Sequence, residues 1–256
     1  MIHETAIVSE KADISEGVSI GPYSIIGPDV SIGSETIIES HVVITGRTTI
    51  GKQNHFYPFS TIGESPQDMK YKGENTELEI GDRNTIRESC TINKGTVQDT
   101  GVTRLGNDNW IMAYVHIAHD CQIGNNTVFA NNTTLGGHIE VGDYAIFGGF
   151  SGAHQFCKIG SHSFLGIYAG VAKDLPPYVI VTGQPAVPRG INIEGLKRRG
   201  FTTEQIRNIK NAYKLLYNSD LRLEEAQEKI SGLDEVSNEL QVMLEFIQAS
   251  TRGIIR

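Results

Sequence analysis

Large apolar side chains recur at every sixth position of this chain. From Ile2 the step of six lands on eleven apolar residues in succession, ending at Ile62, where an apolar content of 39% leads one to expect about four. A polar stretch, GESPQDMKYKGENTE, then interrupts the pattern. Ile80, Ile86 and Ile92 resume it, a second stretch, KGTVQDTGVTR, follows, and a third run extends from Leu105 to Val171. Thirteen of the twenty-six positions are followed directly by glycine, as in Ile20-Gly21 and Leu165-Gly166, which places a turn just after the inward side chain. A step of six matches neither the 3.6 period of a helix nor the alternation of a long strand. It matches a coil with short flat sides and repeated corners. The pattern predicts a mainly β protein built as a parallel β-helix: three hexapeptides make an 18-residue triangular turn, and the repeats present amount to nearly nine turns. At ~4.8 Å per turn the prism is on the order of 40 Å long.

After Val171 the period is lost. Pro176, Pro177, Pro185 and Pro188 mark a linker. Beyond it Ile206, Ile209, Tyr213 and Leu216 recur at helical spacing behind a capping box, Thr202-x-x-Gln205. Two more amphipathic segments follow, LRLEEAQEKISGL and DEVSNELQVMLEFIQAST. The expected organisation is a β-helix over 1–187 that carries the site and a small α-helical domain over 188–256.

Composition narrows the function. A net charge of −8 argues against a nucleic-acid binder, which needs a broad basic surface. No run of 18 apolar residues is present, and the N-terminus has neither the basic nor the apolar region of a secretion signal, so a cytoplasmic protein without a membrane span is expected. Three cysteines, Cys90, Cys121 and Cys157, are read as reduced, partly buried thiols.

The repeat also places the polar residues of YVHIAHDCQIG. Positions 18 apart stack about 4.8 Å from one another. His119 therefore stacks with Gly137 and Gln155, Asp120 with His138 and Phe156, and Ala118 with Gly136 and His154. His119 follows the inward Ile117 by two positions and is out of the core phase. Three readings of the patch are open: surface or interface histidines, a zinc site, and a general base, since neutral imidazole can take a proton from a hydroxyl near pH 7.

HIAHDC, GESPQDMKY, GGHIEVGDYAIFGG, AHQFC, NIEGLKRRGF and the ending STRGIIR occur in order over essentially the whole chain. Together they resemble the bacterial UDP-N-acetylglucosamine 3-O-acyltransferases of lipid A synthesis, a hexapeptide-repeat family. The resemblance implies a left-handed coil, a homotrimer with sites between neighbours, and transfer of a 3-hydroxyacyl group from acyl carrier protein to the glucosamine 3-hydroxyl of UDP-N-acetylglucosamine, without metal or cofactor. It implies His119 as general base, Asp120 as the group orienting the imidazole, and the Gly137 N–H as oxyanion donor, although adjacent side chains in an extended strand diverge. Gln67, Asp68 and Lys70 match sugar-binding positions; His116, His138, His154 and Gln155 line the sugar or donor side. Asn192, Glu194, Arg198 and Arg199 match the nucleotide-holding segment, where arginine's donor fork suits phosphate and a helix-end charge cluster is the alternative.

Acidic acyl carrier protein calls for a basic patch, with Lys173, Lys197 and Arg198 as candidates. Ile167 matches the place where side-chain bulk ends the acyl groove. It lies 48 residues beyond His119, or about 13 Å along the coil at ~4.8 Å per turn. That span implies a preference for chains of about 10 to 12 carbons at ~1.25 Å per carbon. Two alternatives stay in view: the N-acyltransferase of the same pathway, which carries an extra N-terminal domain where this repeat starts at Ile2, and a non-catalytic hexapeptide scaffold, which has no need of His119 beside Gly137.

Overall fold

In the computed structural model, which describes residues 1–233 and 237–256, strands of two to five residues stack into three sheets of nine, eight and ten strands. The first face runs from Ile7–Val8 to Gly170–Val171, the second from Asp13–Ile14 to Lys158–Ile159, and the third from Ser19–Ile20 to Val187–Ile191. Up to the last strand of the third face pairing is parallel, each strand with its counterpart one full coil on, as in Ile117↔Leu135, and the fold is a left-handed parallel β-helix. The predicted column is the core: from Ile20 to Val171 every one of its members is buried. In the first coil Ile2 is 49% exposed.

The turn chemistry differs from the sequence expectation. Except at Gly63, φ 78°, the residue in the left-handed region is not the glycine after the inward side chain but the residue two places later, such as Tyr23 or Asn126, with φ near +60°. The glycines serve close approach instead. A Cβ on Gly33 would sit 2.6 Å from the backbone of Gly51 in the next coil. From Val18 to Ala169 the residues two positions before the inward ones form a second buried column, most of its side chains small. It contains Cys90, Cys121 and Cys157, all fully buried and free, and burial pushes the Cys121 thiol up to about 12.

Two insertions break the register. Thr61 pairs with Thr91, where an unbroken repeat would bring Glu79, so the first excursion adds a dozen positions to its coil. Glu77 pairs with Val102, where an unbroken repeat would bring Gly95, so the second excursion adds seven.

The proline-rich segment is not a free linker. Phe164 pairs with Ile180, where an unbroken repeat would bring Thr182, so a coil shortened by two positions carries the prism through Pro176 and Pro177. Val179–Thr182 and Val187–Ile191 then close the third face as an antiparallel pair, with Tyr178, Val179 and Val181 buried. The shortened step hides this strand from a count of sixes.

Among the described residues four helices follow: α1 (Ile193–Arg198), α2 (Thr203–Tyr217), α3 (Leu223–Ser231) and α4 (Asn238–Gln248). The Thr202–Gln205 capping box is made in both directions, at 2.9 and 3.2 Å. Ile209 and Leu216 are buried as their spacing predicts, and Ile206 and Tyr213 pack at the edge of the same core. The first three residues of the segment DEVSNELQVMLEFIQAST lie outside the described residues. The chain end returns to the prism: Ile255 N–H donates to Asp174 O at 2.9 Å, and Ser250 Oγ to Asp174 Oδ2 at 2.6 Å. Among the described residues no helix is long and apolar enough to cross a membrane.

Candidate active site

His119 stands at the corner where the chain turns from strand His116–Ile117 on the first face to Gln122–Ile123 on the second. Its neighbour Asp120 occupies the left-handed position, φ 60°. That backbone angle folds the carboxylate back, and His119 Nδ1 meets Asp120 Oδ2 at 2.9 Å. The divergence expected of an extended strand does not arise at a corner. With Nδ1 committed to a carboxylate, the neutral imidazole carries its proton there and leaves the Nε2 lone pair free.

Asp120 is buried and doubly anchored. The Thr96 N–H donates to both of its oxygens at 2.9 and 3.0 Å, and the Thr96 hydroxyl donates to Oδ2 at 2.6 Å. Burial pushes this carboxyl up, yet the hydrogen bonds from His119 and Thr96 outweigh burial and hold it below the usual carboxylate value. His138, one coil on, stacks on Phe156 with ring centroids 4.4 Å apart, and its Nδ1 meets a second carboxylate, Asp99 Oδ2, at 2.9 Å. Ligand atoms of His119, Asp120 and His138 lie within 4.8 Å of one another. Both Asp120 oxygens are already filled by Thr96 and His119, so this donor set suits an orienting hydrogen-bond network better than a cation.

Gly137 lies against the imidazole. A Cβ there would meet His119 Cε1 at 2.5 Å and Nε2 at 2.8 Å, so the ring sits where any larger residue would intrude. Among the described residues the Gly137 N–H has no acceptor within the structure, whereas its carbonyl accepts from Phe156.

The first excursion folds over this corner. Gln67, Asp68, Lys70, Asn93, His116, Ala118, His119 and Gln155 together line a cavity of 390 Å³. The Lys70 N–H bonds the Asp68 carboxylate at 2.9 Å and holds its pKa below the ordinary value. His116 is lowered by burial and then by the nearby His119, and its Nδ1 meets Thr91 Oγ1 at 2.7 Å. Asn93 was not singled out from sequence. Its place opposite the excursion, donating to Glu64 O and Ser65 O, follows only from the register jump between Thr61 and Thr91.

His154 lines a neighbouring trough instead. Going down the coil, the outward column of the first face runs His116, Thr134, Gly152, Gly170. Side chains shrink away from the histidine and leave a backbone-floored trough of 570 Å³ that ends at Gln184 and Pro185. The matching signal in the sequence is glycine one place before an inward residue, Gly152 before Ala153 and Gly170 before Val171. Ile167, 63% exposed, follows the coil that carries Phe164–Leu165 and precedes Gly170.

Asn192, Glu194, Arg198 and Arg199 come together, but elsewhere. With Val128, Ile146 and Phe164 they line a pocket on the third face. Asn192 caps α1 by accepting the Gly195 N–H at 3.1 Å. Arg199 packs over the Tyr144 ring at 4.6 Å, and Arg198 stays exposed. Lys197 is taken up by Glu194 at 3.0 Å, and Lys173 is exposed. Within one chain, the arginine pocket and His119 lie on different faces of the prism.

Residues 174–255 match the UDP-N-acetylglucosamine O-acyltransferase domain 2 family, and residues 11–46 and 103–137 match the bacterial transferase hexapeptide family. The acyl-[acyl-carrier-protein]–UDP-N-acetylglucosamine O-acyltransferase of Herminiimonas arsenicoxydans is 54% identical over 260 residues, covering 100% of this chain and 99% of the relative. That of Thiobacillus denitrificans is 57% identical over 204 residues, 80% of this chain and 79% of the relative. Among solved structures, the Acinetobacter baumannii enzyme superimposes with a TM-score of 0.97 at 47% identity, covering 100% of this chain and 99% of that one. The Francisella novicida UDP-N-acetylglucosamine acyltransferase does so at 0.97 and 45%, covering 100% and 94%. The chain belongs to the acyl-[acyl-carrier-protein]–UDP-N-acetylglucosamine O-acyltransferase family.

Proposed function

We propose that this protein transfers a 3-hydroxyacyl chain from the thioester of acyl carrier protein to the glucosamine 3-hydroxyl of UDP-N-acetylglucosamine, the first step of lipid A biosynthesis, with His119 as general base. The observation that carries the reading is the buried His119–Asp120 pair at 2.9 Å, which leaves Nε2 free on a ring that lines a polar cavity and lies against Gly137, whose backbone N–H has no acceptor among the described residues. A sugar hydroxyl is a poor nucleophile until its proton is accepted. In this reading Nε2 takes that proton as the oxygen attacks the thioester carbonyl. The Gly137 N–H stabilises the resulting oxyanion. Collapse of the intermediate breaks the carbon–sulfur bond, and the thiolate recovers the proton from the imidazolium. Asp120 stabilises that imidazolium without itself being protonated, which fits a carboxyl held below its usual value.

Gln67, Asp68, Lys70, His116 and Gln155 hold the sugar in this reading, and the trough past His154 takes the acyl chain. Asn192, Glu194, Arg198 and Arg199 hold the nucleotide. Their separation from His119 within one chain supports a homotrimer in which neighbouring prisms complete each site. The third face offers Trp110, Val128, Ile146 and Phe164 outward, and the second offers Glu79, Arg104, Glu140 and Lys158, so contact through the apolar face is favoured. Residues 1–187 form the catalytic unit and 188–256 the unit that carries the helices, its first residues completing the prism strand Val187–Ile191, and the protein works in the cytoplasm. His119→Ala tests the core of the reading: O-acyl transfer falls by roughly 100-fold or more on general-base grounds while the assembly stays folded. Near-normal kcat in a folded variant refutes it.

A further inference from the structure

The second excursion reaches the candidate site from outside the repeat. Its ends are pinched together on one residue: Gly95 N–H donates to Glu77 O at 3.0 Å, and Glu77 N–H donates to Gly101 O at 2.9 Å. A Cβ on Gly95 would collide with the Gly101 backbone, so the loop closes this tightly only with glycine there. Closure puts Thr96 against Asp120, each 1% exposed. The carboxylate also has two imidazoles within reach, His119 Nδ1 at 2.9 Å and His138 Nδ1 at 3.8 Å, both from the same Oδ2. Without a further constraint this carboxylate could turn toward either ring. The Thr96 N–H spans both oxygens, and its hydroxyl adds a 2.6 Å bond to Oδ2. Thr103 Oγ1 accepts the Asp120 N–H at 2.7 Å and fixes the backbone beneath.

We propose that Thr96 is a positioning residue for acyl transfer: its hydroxyl locks the Asp120 carboxylate toward His119, which keeps the imidazole proton on Nδ1 and Nε2 aimed at the acceptor hydroxyl. The proposal rests on the reading of His119 as base. Asp99 serves the opposite side by holding His138 at 2.9 Å, which keeps that ring from competing for Asp120. The charged or titratable groups facing His119 are Asp120 on its own corner, His116 from the preceding strand, His138 from the next coil, and Asp68 and Lys70 from the first excursion. Thr96 touches none of these but Asp120 within hydrogen-bond distance.

Thr96→Val keeps the backbone donor and the side-chain volume and removes the hydroxyl alone. The expected loss in kcat is about 10- to 100-fold, the range for one hydrogen bond to a charged group, with KM for the UDP-sugar changed by no more than about twofold. With the hydroxyl gone the carboxylate turns in part toward His138 and the His119 imidazolium loses part of its anionic partner, so the acid limb of the kcat–pH profile moves to lower pH. Thr96→Ser restores both kcat and the limb. In a His119→Ala background, Thr96→Val causes no further loss, because the residue acts through the ring that is already gone. Wild-type kcat and pH limb in Thr96→Val overturn the proposal. So does a loss that Thr96→Ser shares, or a further loss of the same size in the His119→Ala background. If Thr96→Val does not fold, Thr96→Ser against Thr96→Ala, assayed below their unfolding transitions, decides on the same criteria. A fully active His119→Ala variant sinks the base assignment itself, an outcome distinct from an unaltered Thr96→Val beside an inactive His119→Ala.

Discussion

Gly137→Ala places one methyl group into the space of the proposed base. The ideal Cβ lies 2.5 Å from His119 Cε1, 2.8 Å from Nε2 and 3.0 Å from Nδ1. Carbon contacts relax only near ~3.5 Å, so the ring must retreat by about 1 Å. It cannot do so freely. Nδ1 is tethered to Asp120 Oδ2 at 2.9 Å, and the His138 ring stands edge-on with its centroid 4.9 Å away. A misplacement of that size at a reacting centre costs on the order of 100-fold in rate. Overpacking beside a fixed network costs about 1–3 kcal/mol of stability. Gly149 occupies the same place in its own turn, two residues past an inward side chain, and a Cβ there has nothing nearer than Asn131 O at 3.5 Å. Gly149→Ala is therefore the matched control, with stability expected within about 0.5 kcal/mol of wild type. The assay is single-turnover acyl transfer to UDP-N-acetylglucosamine with calorimetry of both variants. A folded Gly137→Ala protein with kcat within threefold of wild type refutes the argument that the ring must stay against this glycine.

Ile167→Gly shifts donor preference from chains of about 10 to 12 carbons toward 14, measured with the three donors in parallel; the ruler role fails if wild type already prefers 14 or the variant shows no shift. Arg198→Ala weakens UDP-sugar binding by about tenfold and leaves the acyl donor's KM unchanged, since a cation opposite phosphate is lost; unchanged titration heats for the nucleotide exclude that role. Asp120→Asn removes a carboxylate whose folded pKa is depressed. Its stabilisation is fully present above the unfolded value of about 3.9 and disappears as pH falls through the lower folded value. The wild type is therefore the more stable at pH 7, the two melting temperatures converge in acid, and a constant gap across pH refutes the linkage.

Sequence alone determined the prism. A period of six in side-chain type is a local property repeated along the chain, and only one stacking, three repeats to a coil, makes it a continuous core; Ile117 on Leu135 and His119 beside Gly137 follow directly. The capping box and helical spacing were legible for the same reason, because their partners lie within a turn of helix. Tertiary structure decided whatever breaks the period. A shortened coil turned an apparent proline linker into a strand, since two missing positions change no local preference but do change the count. The left-handed angle at Asp120 brought its carboxylate back to His119, which strand geometry argued against. The two excursions set Gln67, Asp68 and Lys70 over His119 and Thr96 on Asp120 through contacts with coils far away in sequence. No periodicity reports where an insertion folds, because its position depends on backbone groups of other coils that the insertion itself does not encode.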